Sequence, residues 1–352
     1  MVEGRFVDWP LYLAQTLVSQ DGCIQQGFLA CRGCPARYPI VDGVAIIFAD
    51  VASWIRQQER PLLHRSDLDP QLSGWLLGSW PDDQDPSWRR QMLATYAHGF
   101  QADSAEADPF TRSMRAQALQ SRDWLAARRA ALIAAVGEAP LVLDAGCSVG
   151  VGTLSMASSG ARVVALDHDF GSLRLLSRLL LAGRATVPHW RHGGFDYVPV
   201  EITAPAGIDA SRIALIAADA CRPPFRARGF DVVVADNLVD NVSDPVLLIR
   251  QLAALLRGGG SLSLSTPYDW VSRCVPRGKR LGESLRVHAD AEPDPAVAML
   301  ELLRGELSQA PELSFQVAYE RRDLPWVLRR HNRSIHAFVC HYLEASKASE
   351  AP

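Results

Sequence analysis

From residue 140 onward, short apolar runs alternate with segments whose apolar positions recur at helical spacing. Leu141, Val142 and Leu143 form the first run, which stops at Asp144. Arg162 to Leu166 is the second, ending at Asp167, and Ile213 to Ala217 the third, followed by Ala218-Asp219-Ala220. Phe230 to Ala235 is the fourth, ending in Asp236-Asn237, and Ser261 to Ser265 the fifth. Helical spacing returns over Ser172 to Leu181 and over Asp244 to Arg257. The second of these helices has Asp at its start, Pro245 in its first turn and Gly258-Gly259-Gly260 at its end, all expected capping choices. A helix near Pro295 to Leu307 and strands around Phe315 to Tyr319 and Ile335 to Tyr342 complete a seven-strand set. Such alternation predicts an α/β fold, a largely parallel sheet wrapped by helices.

The residues before 140 read differently. Thr111 to Val136 carries apolar positions at helical spacing and predicts a long helix packed beside the first strand. Residues 51–139 as a whole read as a helical extension broken by Pro61, Pro70, Pro81 and Pro86 and rich in tryptophan, including Trp54, Trp75, Trp80, Trp88 and Trp124. Those tryptophans have two readings, a lid over a ligand site or ordinary core. Residues 1–50 form a smaller unit, in which Cys31-Arg-Gly-Cys34 precedes Tyr38-Pro39-Ile40-Val41-Asp42-Gly43 and the strand-like Val44 to Phe48. The predicted domains are 1–50, 51–139 and 140–346, with a loose tail from Ser346.

The stretch Leu141 to Met156 organises the chain. A buried strand runs into a turn with Gly146, Ser148, Gly150 and Gly152, and a helix follows. Turn glycines let backbone approach a ligand, and the helix end favours an electron-rich one. The spacing D-x-G-x-S-x-G is not the dinucleotide fingerprint G-x-G-x-x-G. It resembles the first motif of class I S-adenosylmethionine-dependent methyltransferases, in which Ser often replaces the middle glycine. That resemblance implies a Rossmann-like seven-stranded sheet and S-adenosylmethionine as cofactor. A carboxylate at Asp167, at the end of the second strand, can accept both ribose hydroxyl protons. The resemblance assigns Asp219 with Ala220 to the adenine, and Gly146 and Gly150 to the methionine and ribose side. Asp144, Ser148, His168 and Asp236 complete the expected cofactor set. Each Asp alone has the alternative of a helix cap or surface carboxylate, but four at successive strand ends converge on one crevice.

Three downstream stretches, Ala235 to Pro245 (ADNLVDNVSDP), Ser265 to Trp270 (STPYDW) and Asp323-Leu-Pro-Trp326, are similar to the methyltransferase domain of ovothiol synthases. That family methylates an imidazole nitrogen of a sulfur-substituted histidine. Where the family places an Arg-Glu-Thr run before a basic pair, this chain has Arg329-Arg330-His331-Asn332-Arg333. The resemblance implies N-methylation of a small amino-acid-like or imidazole metabolite, with Asp236, Asn237, Tyr268 and Asp269 as candidate catalytic residues. Tyr268 and Trp270 are candidates for stacking on a flat ring or for cation–π contact with the sulfonium. His189, Trp190, Arg191 and His192 fall in the long insert between the second and third strands, either as substrate contacts or as solvated loop residues. Two other outcomes keep the same cofactor turn or fold: attack on the aminocarboxypropyl carbon with release of methylthioadenosine, and a non-catalytic methyltransferase partner.

The Cys-x-x-Cys beside a YPI-x-DG hairpin resembles the small zinc ribbon of the activator subunit of tRNA and protein methyltransferases. A tetrahedral zinc site needs four N or S ligands. Here Cys23, Cys31 and Cys34 are the candidates, with Asp21 or His64 as the fourth, the alternative being a ribbon without metal. Composition narrows the rest. The chain has 352 residues, 48% hydrophobic and 21% charged, with a net charge of −3. Near-neutral charge gives no reason to expect a nucleic-acid or membrane partner, and the small-molecule substrate is what the resemblance implies. No apolar run reaches membrane-spanning length, the first residues lack the layout of a signal peptide, and seven scattered cysteines argue against a disulfide framework. A cytoplasmic protein is expected, and no pattern specifies an oligomeric state.

Overall fold

The computed structural model describes residues 10–57, 67–77, 96, 109–192, 196–271, 274–283, 294–331 and 333–348. Trp80, Trp88, His64 and Asn332 lie outside the described residues, as do the side chains of His189, Trp190, Arg191 and His192.

In chain order the elements are β1 (Leu11–Gln20), β2 (Cys23–Cys31), β3 (Arg37–Val41), β4 (Val44–Ile46), α1 (Val51–Gln57), α2 (Pro70–Leu77) and α3 (Pro109–Val136). Then come β5 (Leu141–Ala145), α4 (Val151–Ser158), β6 (Arg162–Asp167), α5 (Phe170–Ala182), β7 (Arg184–His192), β8 (Asp196–Thr203) and β9 (Ile213–Ala217). The last set is β10 (Phe230–Asp236), α6 (Pro245–Leu255), β11 (Leu256–Thr266), α7 (Pro295–Arg304), β12 (Phe315–His331) and β13 (Ser334–Lys347). The main sheet has eleven strands in the order β1-β2-β3-β4-β9-β6-β5-β10-β11-β13-β12. Its C-terminal seven are the predicted set. Five of them, β9, β6, β5, β10 and β11, pair in parallel, and the β12–β13 hairpin joins antiparallel to β11. Order reverses on either side of β5, which places the ligand crevice outside the carboxyl ends of β5, β6 and β10.

The strands form for the predicted reason. Val142, Leu143, Val163, Leu166, Val232, Val233 and Val234 are all at most 1% exposed, so both faces of the parallel core are covered. Three helices start on aspartate caps: Asp169 accepts from the Ser172 N–H at 2.8 Å, Asp244 from Leu247 at 3.0 Å and Asp294 from Ala296 at 2.8 Å.

Four expectations change. Instead of forming a separate unit, β1 to β4 extend the sheet, because β4 pairs in parallel with β9 from Val44↔Leu215 to Ile46↔Ala217. Gly258-Gly259-Gly260 do not cap α6: its last residue, Leu255, passes directly to Leu256, which pairs with Phe230 and draws the glycine run into β11. The insert after α5 is a β7–β8 hairpin forming its own two-stranded sheet. The expected tail from Ser346 begins inside β13, where Ser346 pairs with Ser261 and the Lys347 ammonium donates to the carbonyls of Ala253 and Leu256.

The tryptophans inside the described residues are packed. Trp54, 3% exposed, stacks on Phe48 at 4.7 Å and donates its indole N–H to the His168 carbonyl at 3.2 Å. Trp75 meets Phe28 edge-on, and Trp124 meets Tyr342. All seven cysteines are unpaired. No helix among the described residues is long and apolar enough to cross a membrane.

Candidate active site

The turn after β5 is tied to β6. The N–H groups of Gly146 and Cys147 both donate to the Leu166 carbonyl, at 2.8 and 3.1 Å. The backbone then passes through left-handed conformations at Gly146 (φ 76°), Ser148 (φ 50°) and Gly150 (φ 85°). This turns the Ser148 N–H toward Asp167, whose carboxylate accepts it at 2.8 Å and accepts the Asp169 N–H at 2.8 Å on its other oxygen. A carboxylate oxygen has two lone pairs, so both oxygens of Asp167 keep acceptor capacity toward the crevice. Burial pushes the Asp167 carboxyl up to about 6, partly offset by those two backbone donors.

The crevice opens into a cavity of about 1230 Å³. Ligand pockets usually measure ~300–1,000 Å³, so this space is large enough for a nucleoside cofactor and a second molecule. Eight of the nine expected cofactor residues line it: Asp144, Gly146, Ser148, Asp167, His168, Asp219, Ala220 and Asp236. Asp219 is shaped by its own turn, accepting the Cys221 N–H at 2.8 Å. The ninth, Gly150, does not line the cavity. A Cβ there would sit 2.4 Å from the Leu176 side chain, so Gly150 is required where α4 packs on α5. Cys147 is buried, and desolvation with nearby Asp167 and Asp144 holds its thiol protonated.

Of the four catalytic candidates, Asp236, Asn237 and Asp269 line the cavity and Tyr268 does not. Its left-handed backbone (φ 56°) turns the ring away, toward Trp270 at 5.8 Å and His341, whose Nδ1 lies 2.8 Å from the Tyr268 hydroxyl. Trp270 likewise packs against the core beneath α6 and α7 rather than facing the cofactor crevice. Asn237, also left-handed (φ 50°), is held by its N–H donating to the Ser265 carbonyl at 2.7 Å.

Two residues of the site were not singled out from the sequence. Asp240, 1% exposed, lines the cavity and accepts the Asp269 N–H at 2.9 Å, and burial pushes its carboxyl up to about 6. Arg129 reaches in from α3 to form an ion pair with Asp236. Its sequence signal was the apolar stripe of that helix, where Ser121, Leu125, Arg129 and Ile133 recur every fourth residue and all are buried. α3 is therefore a wall of the cavity, lining it from Thr111 to Arg129.

The residues fit S-adenosylmethionine. Asp167 and Asp219 present acceptors to hydroxyl and amine donors, and the buried Nε of Arg129 has no partner among the described residues, while Asp144 and Asp236 are balanced by the Arg129 guanidinium itself. Zinc does not fit. Cys23 and Cys31 are the two ends of β2, about 26 Å apart at ~3.3 Å per residue, so Cys23 cannot share a metal with Cys31 and Cys34. Cys34 is exposed, and the Gly33 N–H donates to Cys31 Sγ at 3.4 Å, lowering that thiol's pKa. Among the described residues no group of three His, Cys, Asp or Glu side chains is placed to hold a metal ion.

Residues 143–264 match the family described as "Methyltransferase domain". The demethylmenaquinone methyltransferase of Mycolicibacterium paratuberculosis is 29% identical over 211 residues, 56% of this chain and 74% of that protein. That of Mycobacterium marinum is 29% identical over 203 residues, 54% of this chain and 70% of that protein. The solved magnesium protoporphyrin IX methyltransferase of Synechocystis PCC 6803 is 17% identical with a TM-score of 0.41, covering 74% of this chain and 93% of that one. The family match spans the glycine turn and the strand-end aspartates of the cavity, and the methyltransferase domain supports an S-adenosylmethionine-dependent methyltransferase.

Proposed function

We propose that this enzyme methylates a nitrogen atom of a small metabolite held between Asp236-Asn237, Asp240, Asp269 and the wall formed by α3. When bound, S-adenosylmethionine supplies an electrophilic methyl group on a sulfonium. Asp167 and Asp219 would hold its ribose and adenine, and Asp144 would face its methionine end. The acceptor nitrogen must be neutral and in line with the methyl group, so the protein's task is alignment and proton acceptance. Asp240 is the residue suited to the second part. Its carboxyl is buried, is fastened by the Asp269 N–H, and is raised to about 6, within reach of a proton exchange near neutrality. That observation carries the proposal. Tyr268 acts from behind, fixing the 267–271 loop through His341 rather than touching substrate.

The similarity of Ala235–Pro245 and Ser265–Trp270 to ovothiol-type methyltransferase domains supports an imidazole nitrogen as acceptor. A second reading takes its lead from the demethylmenaquinone methyltransferases and from Trp326 and Phe338, which pair across β12 and β13 and line the cavity. It is a larger, apolar ring. Mass spectrometry of the protein with S-adenosylmethionine, alone and with a metabolite extract, tests both. S-adenosylhomocysteine appearing only with extract, together with a product heavier by one methyl, is expected, and the product's tandem spectrum locates the methyl on nitrogen or on a ring carbon. Methylthioadenosine formed by protein alone would overturn methyl transfer in favour of cyclisation. Cofactor binding without any product would favour a non-catalytic partner.

A further inference from the structure

Cys31-Arg-Gly-Cys34 takes no part in the cavity, which neither cysteine lines. The motif turns the chain from β2 into β3. The Cys31 N–H donates to the Ala36 carbonyl at 3.1 Å and closes the turn, and the Arg32 N–H donates to the Pro10 carbonyl at 3.4 Å and ties it to the residue before β1. Pro35 restricts the backbone of Cys34. Inside this closed turn the Cys31 sulfur collects donors. The Gly33 N–H donates to it at 3.4 Å, and the thiol and N–H of Cys34 hydrogen-bond to it as well. The two sulfurs are therefore in hydrogen-bond contact. Those donors, the Gly33 N–H foremost, lower the Cys31 pKa, because each stabilises the thiolate. Cys34 is exposed and Cys31 partly exposed, so reagents in solution reach both. Cys221 and Cys340 stand at the other extreme: both are buried, and burial pushes their thiols up to about 12.

We infer that Cys31 and Cys34 form a reversible dithiol–disulfide site that exchanges with low-molecular-weight disulfides such as oxidised glutathione. The Cys31 thiolate attacks one sulfur of the small disulfide. A bond from Cys31 to that sulfur forms, the small disulfide's own S–S bond breaks, and one small thiolate leaves and takes up a proton from water. Cys34 then gives its proton to water and attacks Cys31 Sγ, toward which it is already hydrogen-bonded. The Cys31–Cys34 bond forms as the mixed disulfide breaks, and the second small thiolate leaves. The two cysteines together lose two electrons, and the small disulfide gains them as two thiols. A small thiol in excess runs the same steps backwards. The site stands apart from methyl transfer, because it shares no residue with the cavity.

The test is incubation of the full chain with oxidised glutathione at neutral pH, followed by blocking of the remaining thiols with N-ethylmaleimide and peptide mass spectrometry. The peptide carrying Cys31 and Cys34 is expected to lose two hydrogens and escape blocking. Cys23, partly exposed at the other end of β2, should still be blocked as a free thiol. Dithiothreitol should restore both thiols of the pair. In Cys34→Ser a glutathione adduct is expected to accumulate on Cys31, because the thiol that displaces it is gone. Followed against pH, that adduct should form at half its maximal rate below ~8.5, the ordinary thiol value. Three results would each overturn the inference: adducts that persist on the parent without a Cys31–Cys34 bond, Cys23 oxidised as readily as the pair, or a stoichiometric metal ion that blocks both thiols until a chelator removes it.

Discussion

Arg129, in the middle of α3, is ion-paired with Asp236, the last residue of β10, and both side chains are largely buried. Asp236 also accepts the Ser265 hydroxyl at 2.9 Å. Asp144 lies near the same guanidinium: a Cβ at Gly152 would stand 3.3 Å from Arg129 Nη1 and 3.5 Å from Asp144 Oδ2. Burial lowers the Arg129 pKa and raises that of Asp144, and each partly offsets the other. The long helix is thereby clamped by charge onto the strand ends that form the cofactor crevice.

Removing the cation leaves two buried carboxylates uncompensated. Arg129→Met is expected to lower stability by about 3 kcal/mol in urea unfolding at neutral pH, the usual cost of breaking a buried pair from one side. Arg129→Lys, which keeps the charge but loses the fork, should fall between the two. A Met variant as stable as the parent would mean that the pair contributes nothing and that α3 is held by packing alone.

Gly146 and Gly150 separate binding from folding within one turn. Gly150→Ala places a methyl group 2.4 Å from Leu176 on backbone with φ 85°, so a destabilisation of about 2–4 kcal/mol is expected from steric conflict and left-handed strain together. Gly150 does not line the cavity, and the folded fraction of the variant should bind S-adenosylhomocysteine within about threefold of the parent, a difference of only ~0.6 kcal/mol. Gly146 does line it, and its added methyl meets Leu238 at 3.0 Å. Gly146→Ala should weaken calorimetric binding by about tenfold or more, because the turn itself must shift. If the two variants lost affinity equally, the distinction between a packing glycine and a lining glycine would fail.

Strand-turn-helix from Leu141 to Met156 was legible because continuous apolar runs bounded by Asp and Gly have few other solutions in a parallel sheet. The strand-end aspartates followed from the same logic. What was not legible depends on partners distant in sequence. The pairing of β4 with β9 joins residues some 170 apart, and nothing local to Val44–Ile46 specifies it. Arg129 falls on the buried stripe of α3, but nothing local to it names Asp236 as its partner. Tyr268 fell within a motif whose spacing matched a known site, yet a single left-handed φ turns its ring from the cavity to His341. Residue type and spacing identify a loop, and one backbone angle decides which of its side chains faces the substrate.

That reorientation has its own consequence. Tyr268→Phe removes the hydroxyl that meets His341 Nδ1 at 2.8 Å but nothing that lines the cavity. The variant is expected to lose about 1 kcal/mol of stability, as for a typical internal hydrogen bond. Its rate of S-adenosylhomocysteine release with a saturating metabolite extract should stay within about threefold of the parent, an effect of no more than ~0.65 kcal/mol on the barrier. A thousandfold loss of rate would instead return Tyr268 to direct catalysis.

Asp240 gives the pH dependence. Its carboxyl is raised to about 6 in the folded protein, chiefly by burial and further by the charge of Asp269, against about 3.9 in an unfolded chain. Between those values the folded state holds a proton that the unfolded state has released, so this residue's contribution falls as pH rises from ~4 to ~6 and stays reduced above that. Two units correspond to an upper bound of about 3 kcal/mol. Asp240→Asn keeps a carbonyl oxygen to accept the Asp269 N–H but carries no charge to desolvate. It is expected to be more stable than the parent by about 2 kcal/mol at pH 7.5, with the gap closing toward pH 4 in urea unfolding curves. The same variant should turn over at least about tenfold more slowly, because it has lost the proton acceptor. Greater stability bought with lost rate is the signature of a buried carboxylate retained for chemistry. A variant less stable at every pH would show Asp240 to be a structural anchor of the 267–271 loop, and the proton-acceptor role would pass to Asp269, which also lines the cavity and, unlike Asp236, is not paired with Arg129.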